Sequence, residues 1–234
     1  MVLQHRACER PGVIEEVLRA RSARLTRVGL DEGGHLPDWR GFDLVVVMGG
    51  PMGAYEDAAH PWLVDERAFL AAAAAAGTPC YGVCLGAQLL AAAIGGRAYP
   101  GPAPEVGVME VTLTAAGQTD AVMSILASPF TALQWHGDTF DLPDDAVVLA
   151  SSTAYARQAF RWRNTMGVQF HAEVTADMVD EWAALDDYVD YLESALGPGG
   201  AERLFNELRR SLAEINATCR ALFEQFLMVT RGNV

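Results

Sequence analysis

The sequence predicts an α/β protein: an open, mostly parallel sheet flanked by helices, with a C-terminal helical hairpin. Three observations carry that reading. Strand-like and helix-like segments alternate with short connections up to Gly95-Gly96, the pattern of right-handed parallel crossovers. The segment Asp43-Leu44-Val45-Val46-Val47-Met48 is continuously apolar and β-branched, as a strand buried on both faces must be. Residues 176–234 place apolar side chains every three or four positions, the period of an amphipathic helix.

In chain order, Val2 to Gln4 predicts a short strand. Gly12 to Arg21 predicts a helix with Val13, Val17 and Leu18 inward. The strand at 43–48 ends in Gly49-Gly50-Pro51-Met52-Gly53, which continues neither element. Pro61 to Ala76 predicts a helix opened by proline and closed by Gly77; its alanine run is strong helix former, not low complexity. Thr78 to Val83 predicts a strand and Leu85 to Ile94 a helix stopped by Gly95-Gly96. From Arg97 to Phe170 the pattern turns to strands: Val106 to Leu113, Ala132 to Trp135, Val147 to Ser151, Gln158 to Trp162 and Met166 to Phe170. With no composition break, these belong to the same sheet. A first helix then carries Met178, Trp182, Leu185, Val189, Leu192 and Leu196. After Gly197-Pro198-Gly199-Gly200, a second carries Leu204, Leu208, Leu212, Ile215, Cys219, Leu222 and Phe226. The two stripes either pack on the sheet or leave part of the second one for a homodimer or other partner. The expected organisation is one domain over 1–175 and a helical extension over 176–234 packed on it.

Composition narrows the function classes. Of the 234 residues 51% are hydrophobic, which excludes disorder, and the net charge of −13 argues against a nucleic-acid partner. All 17 basic residues are arginine, so Schiff-base lysines, P-loop lysines and Ser-Lys dyads are excluded. Cys8, Cys80, Cys84 and Cys219 are too scattered for a disulfide framework. The N-terminus lacks a signal-peptide pattern and no apolar run reaches membrane-span length, so a cytoplasmic protein without membrane association is expected. There is no HExxH and no cysteine–histidine cluster; neither a metal nor a cofactor is expected.

The chemistry concentrates in two segments. Gly82-Val83-Cys84-Leu85-Gly86 sets a cysteine between glycines where a strand becomes a helix, the requirement of a nucleophile elbow. A free cysteine is only about 3% thiolate at neutral pH, so the free N–H groups and positive end of the helix would assist Cys84. Cys8 and Cys219 are expected to be small buried hydrophobes, and Cys80 core. A nucleophilic cysteine needs a base and the base an orienter. His171 and Glu173, two apart, point the same way at a strand's end, so Glu173 can bind one imidazole nitrogen and leave the other for Cys84. The turn Met48-Gly49-Gly50-Pro51 and the residue after the cysteine, Leu85, offer backbone N–H donors for an oxyanion, each worth roughly 3–4 kcal/mol in the transition state. His136 sits at a strand end, as suited to a pocket as to structure; His5 and His60 are assigned structural roles.

These pieces resemble the class I (triad) glutamine amidotransferases. Met48-Gly49-Gly50-Pro51, Gly82-Val83-Cys84-Leu85-Gly86-Ala87-Gln88, Gln134-Trp135-His136-Gly137-Asp138 and Gly167-Val168-Gln169-Phe170-His171-Ala172-Glu173 follow in that family's order. The resemblance implies an open α/β sheet and hydrolysis of the glutamine side-chain amide through a γ-glutamyl thioester. It implies Cys84 as nucleophile, His171 as base and acid, Glu173 as orienter, and Gly50 and Leu85 as the oxyanion hole. It further implies that Gln88, with backbone near Gly137 and Asp138, holds the substrate. Ala172 stands where the amidotransferase part of GMP synthetase usually has proline, and no S-G-G-x-D-S or Walker pattern is present. The chain is therefore similar to the stand-alone, GMP-synthetase-like branch. An α/β-hydrolase is excluded by chain order, because here the histidine precedes the acid.

Three functions follow as expectations. The first is a glutaminase that releases ammonia and glutamate, feeding a separate synthase subunit. The second is an autonomous γ-glutamyl hydrolase or peptidase acting on other γ-glutamyl amides. The third is a non-catalytic regulatory or binding module.

Overall fold

A computed structural model describes residues 1–231; the last three residues of the predicted extension lie outside the described residues. Among the described residues nine strands form one sheet: β1 (Val2–Gln4), β2 (Arg27–Gly29), β3 (Val45–Val47), β4 (Cys80–Val83), β5 (Arg97–Leu113), β6 (Phe130–Asp141), β7 (Val147–Ser151), β8 (Ala159–Trp162) and β9 (Thr165–Val168). Their spatial order is β2-β1-β3-β4-β9-β8-β7-β5-β6. The first five in that order are mutually parallel; the remaining four join by antiparallel pairing.

The helices are α1 (Val13–Ala20), α2 (Trp62–Ala75), α3 (Leu85–Ala93), α4 (Ala176–Ala183), α5 (Asp186–Leu196) and α6 (Gly200–Arg231). Strand alternation sorts the apolar residues into two cores. Val46, Met48, Tyr81 and Val83 face α1, α4, α5 and α6, whereas Val45, Val47 and Cys80 face α2 and α3. Sheet between two helical layers is the α/β arrangement that the alternating segments predict. Among the described residues no helix is long and apolar enough to cross a membrane.

Two features differ from the sequence expectation. β5 and β6 extend beyond Val106–Leu113 and Ala132–Trp135, pairing from Arg97 with Asp141 to Val111 with Phe130. The prolines at 100, 102 and 104 mark β5 as broken, yet there it pairs with β6 alone and bulges between Pro100 and Glu105, where a missing donor is tolerated. The first limb of the C-terminal hairpin is split into α4 and α5 at Ala184-Leu185. Asp186 and Asp187 favour a fresh helix start, since carboxylates are stabilised in a first turn. The α6 stripe takes the first of its two alternatives and packs inward: Leu204, Leu208, Ile215, Cys219, Leu222 and Phe226 are buried in the core and Leu212 packs partly buried against it.

The topology also places the chemistry. β1, β3, β4 and β9 are neighbours running the same way, and the residues just beyond their carboxyl ends are His5, Gly49-Gly50, Cys84 and His171. Ligands of open α/β sheets bind at this edge.

Candidate active site

Cys84 leaves β4 with φ 52° and ψ −110° and heads α3, so the predicted elbow is present. Its N–H donates to the Val168 carbonyl (2.9 Å), tying it to β9. The turn needs a glycine after it: a Cβ at Gly86 would stand 2.1 Å from the Val47 carbonyl oxygen, in backbone that cannot yield. Gly86→Ala is expected to destabilise the protein by about 3 kcal/mol or more, read from thermal or urea unfolding.

His171 and Glu173 are paired as expected. His171 Nδ1 lies 2.8 Å from Glu173 Oε1, and Ala172 N–H donates to Oε2 (3.0 Å). Both residues are buried. Only His171 keeps strand-like pairing, through reciprocal bonds with Leu133 (2.8 and 3.1 Å). Burial alone pushes the imidazole pKa down, but the negative charge of Glu173 and the adjacent Cys84 sulfur outweigh it and hold it well above the usual value. Two helices of the same layer clamp the loop. Val13 N–H at the start of α1 donates to the Glu173 carbonyl (2.9 Å), and Asn216 Nδ2 on α6 donates to the Ala172 and Val174 carbonyls (3.2 and 2.8 Å). The close approach of α1 requires Gly12: its φ is +48°, and a Cβ would lie 2.1 Å from that carbonyl oxygen.

Sequence reasoning assigned His5 a structural role; the structure puts it beneath the Gly49-Gly50 turn. His5 Nδ1 is 3.0 Å from the Gly49 carbonyl, and Nε2 is 2.9 and 3.1 Å from the two carboxylate oxygens of Glu66 on α2. Trp62 stacks on the imidazole at 5.6 Å. An acceptor faces each ring nitrogen, an arrangement that favours the imidazolium. Burial opposes that charge, and Glu66 more than restores it, raising the pKa. Since a trans peptide directs its C=O and N–H oppositely, anchoring the Gly49 oxygen on His5 turns the Gly50 N–H the other way.

The predicted residues Cys84, His171, Gly50, Leu85, Gln88, Gly137 and Asp138 all line one cavity of about 440 Å³; Glu173 stands behind it. Gln88 Nε2 donates to Gln169 Oε1 (3.2 Å), and Gln169 Nε2 to Cys84 Sγ (3.6 Å), so Gln88 is linked to the thiol through a residue sequence reasoning passed over. Gly137 and Asp138 lie within β6 rather than in a loop. His136 faces this cavity, bound to Glu105 (3.0 Å) and to the Asp138 carbonyl (2.9 Å). One wall was not foreseen: Glu9 from the β1–α1 connection, with Trp182, Tyr188 and Tyr191 from α4 and α5. No local pattern marks these residues; the fold alone assembles them. Cys80 is core as expected, its thiol pushed up to about 12 by burial.

An elbow cysteine beside a histidine–carboxylate pair, with backbone donors at the same cavity, is the arrangement of cysteine-dependent acyl transfer. Residues 12–182 match the family model described as glutamine amidotransferase class-I. The glutamine amidotransferase-like protein YfeJ of Salmonella typhimurium is 32% identical over 180 residues, 75% of this chain and 71% of that one. A glutamine-hydrolysing GMP synthase subunit from Ignicoccus hospitalis is 36% identical over 141 residues, 59% of this chain and 70% of that one. A solved glutamine amidotransferase from Thermotoga maritima superposes with TM-score 0.86 at 29% identity, covering 96% of each chain. The chain belongs to the class I glutamine amidotransferases, a family of cysteine-dependent amide hydrolases.

Proposed function

We propose that this protein hydrolyses the side-chain amide of L-glutamine through a γ-glutamyl thioester on Cys84, releasing ammonia and glutamate. The carrying observation is the convergence of Cys84, His171 and the Gly50-Leu85 backbone on one cavity. His171 takes the thiol proton as Cys84 Sγ attacks the amide carbon. The developing oxyanion is held by the N–H groups of Gly50 and Leu85; Leu85 opens α3, so its N–H has no partner within the helix. His171 returns the proton to the nitrogen as the C–N bond breaks, then activates the water that cleaves the thioester. Glu173 holds the imidazole, while Gln88, Gly137 and Asp138 hold the amino-acid end of the substrate. A relative that is a GMP synthase subunit supports a separate synthase as recipient of the ammonia.

The test is ammonia and glutamate release from L-glutamine by the purified chain, alone and with candidate synthases, against Cys84→Ala. Release that survives Cys84→Ala overturns the reading. A second variant probes the oxyanion turn. His5→Gln is expected to lower kcat by about 10²-fold with KM little changed, since the donor it orients acts in the transition state. Equal losses in binding and turnover would place His5 in general packing instead.

A further inference from the structure

Behind the cavity wall stands a buried carboxylate that the chemistry above leaves unused. Glu105 is only 5% exposed, and its oxygens are engaged within the protein. Oε2 lies 3.0 Å from His136 Nε2 and accepts from Gln158 Nε2 (2.6 Å), while Oε1 accepts from Ser152 Oγ (2.6 Å). Burial raises the Glu105 pKa, but these neighbours outweigh it and hold the carboxyl below its usual value. A buried carboxylate with three partners is a support for the groups it holds.

Two arms run from that support to the carbonyls of Gly137 and Asp138, adjacent residues of β6 that line the cavity. The first arm is His136, whose Nδ1 bonds the Asp138 carbonyl (2.9 Å). The second is Ser152, whose Oγ accepts from the Tyr155 N–H (3.0 Å). The Tyr155 hydroxyl then reaches the carbonyls of Ala103 and Gly137, 3.2 Å from the latter. Tyr155 also packs edge-on against the His136 ring, with 4.6 Å between centroids, so the two arms brace each other. The strand ladder offers these carbonyls little. Opposite Asp138 stands Pro100, which has no N–H, and the register breaks between Pro100 and Glu105, leaving Gly137 without a partner in β5. Side chains supply the donors instead.

We propose that Glu105 and Tyr155 are positioning residues: acting through His136 and Ser152, they hold the Gly137-Asp138 backbone in the shape that receives the amino-acid end of the substrate. This rests on the reading of Gly137 and Asp138 given above and names what makes that part of the site rigid. Neither residue meets the reacting atoms. The triad loop has its own supports, the Val13 N–H at the start of α1 and Asn216 on α6. Weakening the Glu105 support therefore lowers affinity for the amino-acid end and spares the reactivity of Cys84.

The test compares two electrophiles on Cys84: a diazoketone analogue of glutamine, which carries the amino-acid end, and iodoacetamide, which lacks it. Tyr155→Phe, which removes one hydroxyl, should raise the half-saturating concentration of the analogue about tenfold, and Glu105→Ala about 30-fold. The limiting labelling rate and the iodoacetamide rate should stay within about twofold of wild type. Equal losses against both electrophiles would assign the pair to general packing and overturn the proposal. An unchanged half-saturating concentration in Tyr155→Phe would overturn it as well, and that variant decides the matter if Glu105→Ala does not fold. The wild type separates the two levels. If the analogue labels wild-type Cys84 and the variants match it, the positioning proposal fails alone; if iodoacetamide labels Cys84 and the analogue does not, the glutamine reading fails and takes this proposal with it.

Discussion

Cys84→Gly is expected to abolish glutamine hydrolysis, by at least about 10⁴-fold, while leaving the protein more stable than Cys84→Ala. On the proposed mechanism, the activity loss follows from removing the atom that would form the thioester. The stability difference follows from the backbone. At φ 52° and ψ −110°, Cys84 occupies a conformation that disfavours any residue with a Cβ, at about 1–3 kcal/mol. Alanine keeps that cost and glycine relieves it, so the glycine variant should melt roughly 2–4 °C higher for each kcal/mol recovered. A hydrolase that gains stability on losing its nucleophile holds that residue under strain for function. Equal melting temperatures for the two variants would show the elbow to be relaxed.

Glu173→Gln is expected to cost roughly 10³–10⁴-fold in kcat/KM, the scale seen when a base loses its orienting carboxylate. Its pH signature is more specific. Burial works against the His171 imidazolium, and Glu173 is the main charge that sustains it. Removing the Glu173 charge lowers the His171 pKa, so its imidazole resonances should titrate at lower pH in the variant than in the wild type, read by NMR across a pH series. The stability effect has a defined sign as well. A histidine with a raised pKa contributes stability fully below its ordinary value of about 6.5 and loses it as pH rises through the folded value. Glu173→Gln should therefore destabilise the protein most below about pH 6.5, with the difference shrinking as pH rises through the folded-state pKa. A loss independent of pH would assign Glu173 to packing.

The parts of the site legible in the sequence are those encoded locally. Gly82, Cys84 and Gly86 specify a turn within five residues, and His171 and Glu173 lie close enough in sequence to pair although only His171 keeps strand-like bonding. The sheet was legible for a similar reason: Val45–Val47 and Cys80–Val83 are short apolar runs bounded by glycine and proline. The remainder depends on long-range assembly. His5 reaches the Gly49-Gly50 turn because β1 lies beside β3, and Glu66 because α2 packs on that face of the sheet. Glu9 meets Tyr188 across most of the chain, and Asn216 reaches the triad loop from α6. Nothing near these residues in sequence announces a partner. The hairpin of β5 and β6 was hidden for the opposite reason: its prolines are a local signal that edge pairing overrides.

The most direct test of the thioester account is intact-mass and peptide analysis after exposure to the diazoketone analogue of glutamine, with and without excess L-glutamine. The account predicts one adduct, on Cys84, suppressed by L-glutamine and absent from Cys84→Ala. An adduct on another residue, labelling that L-glutamine does not slow, or none at all would contradict it.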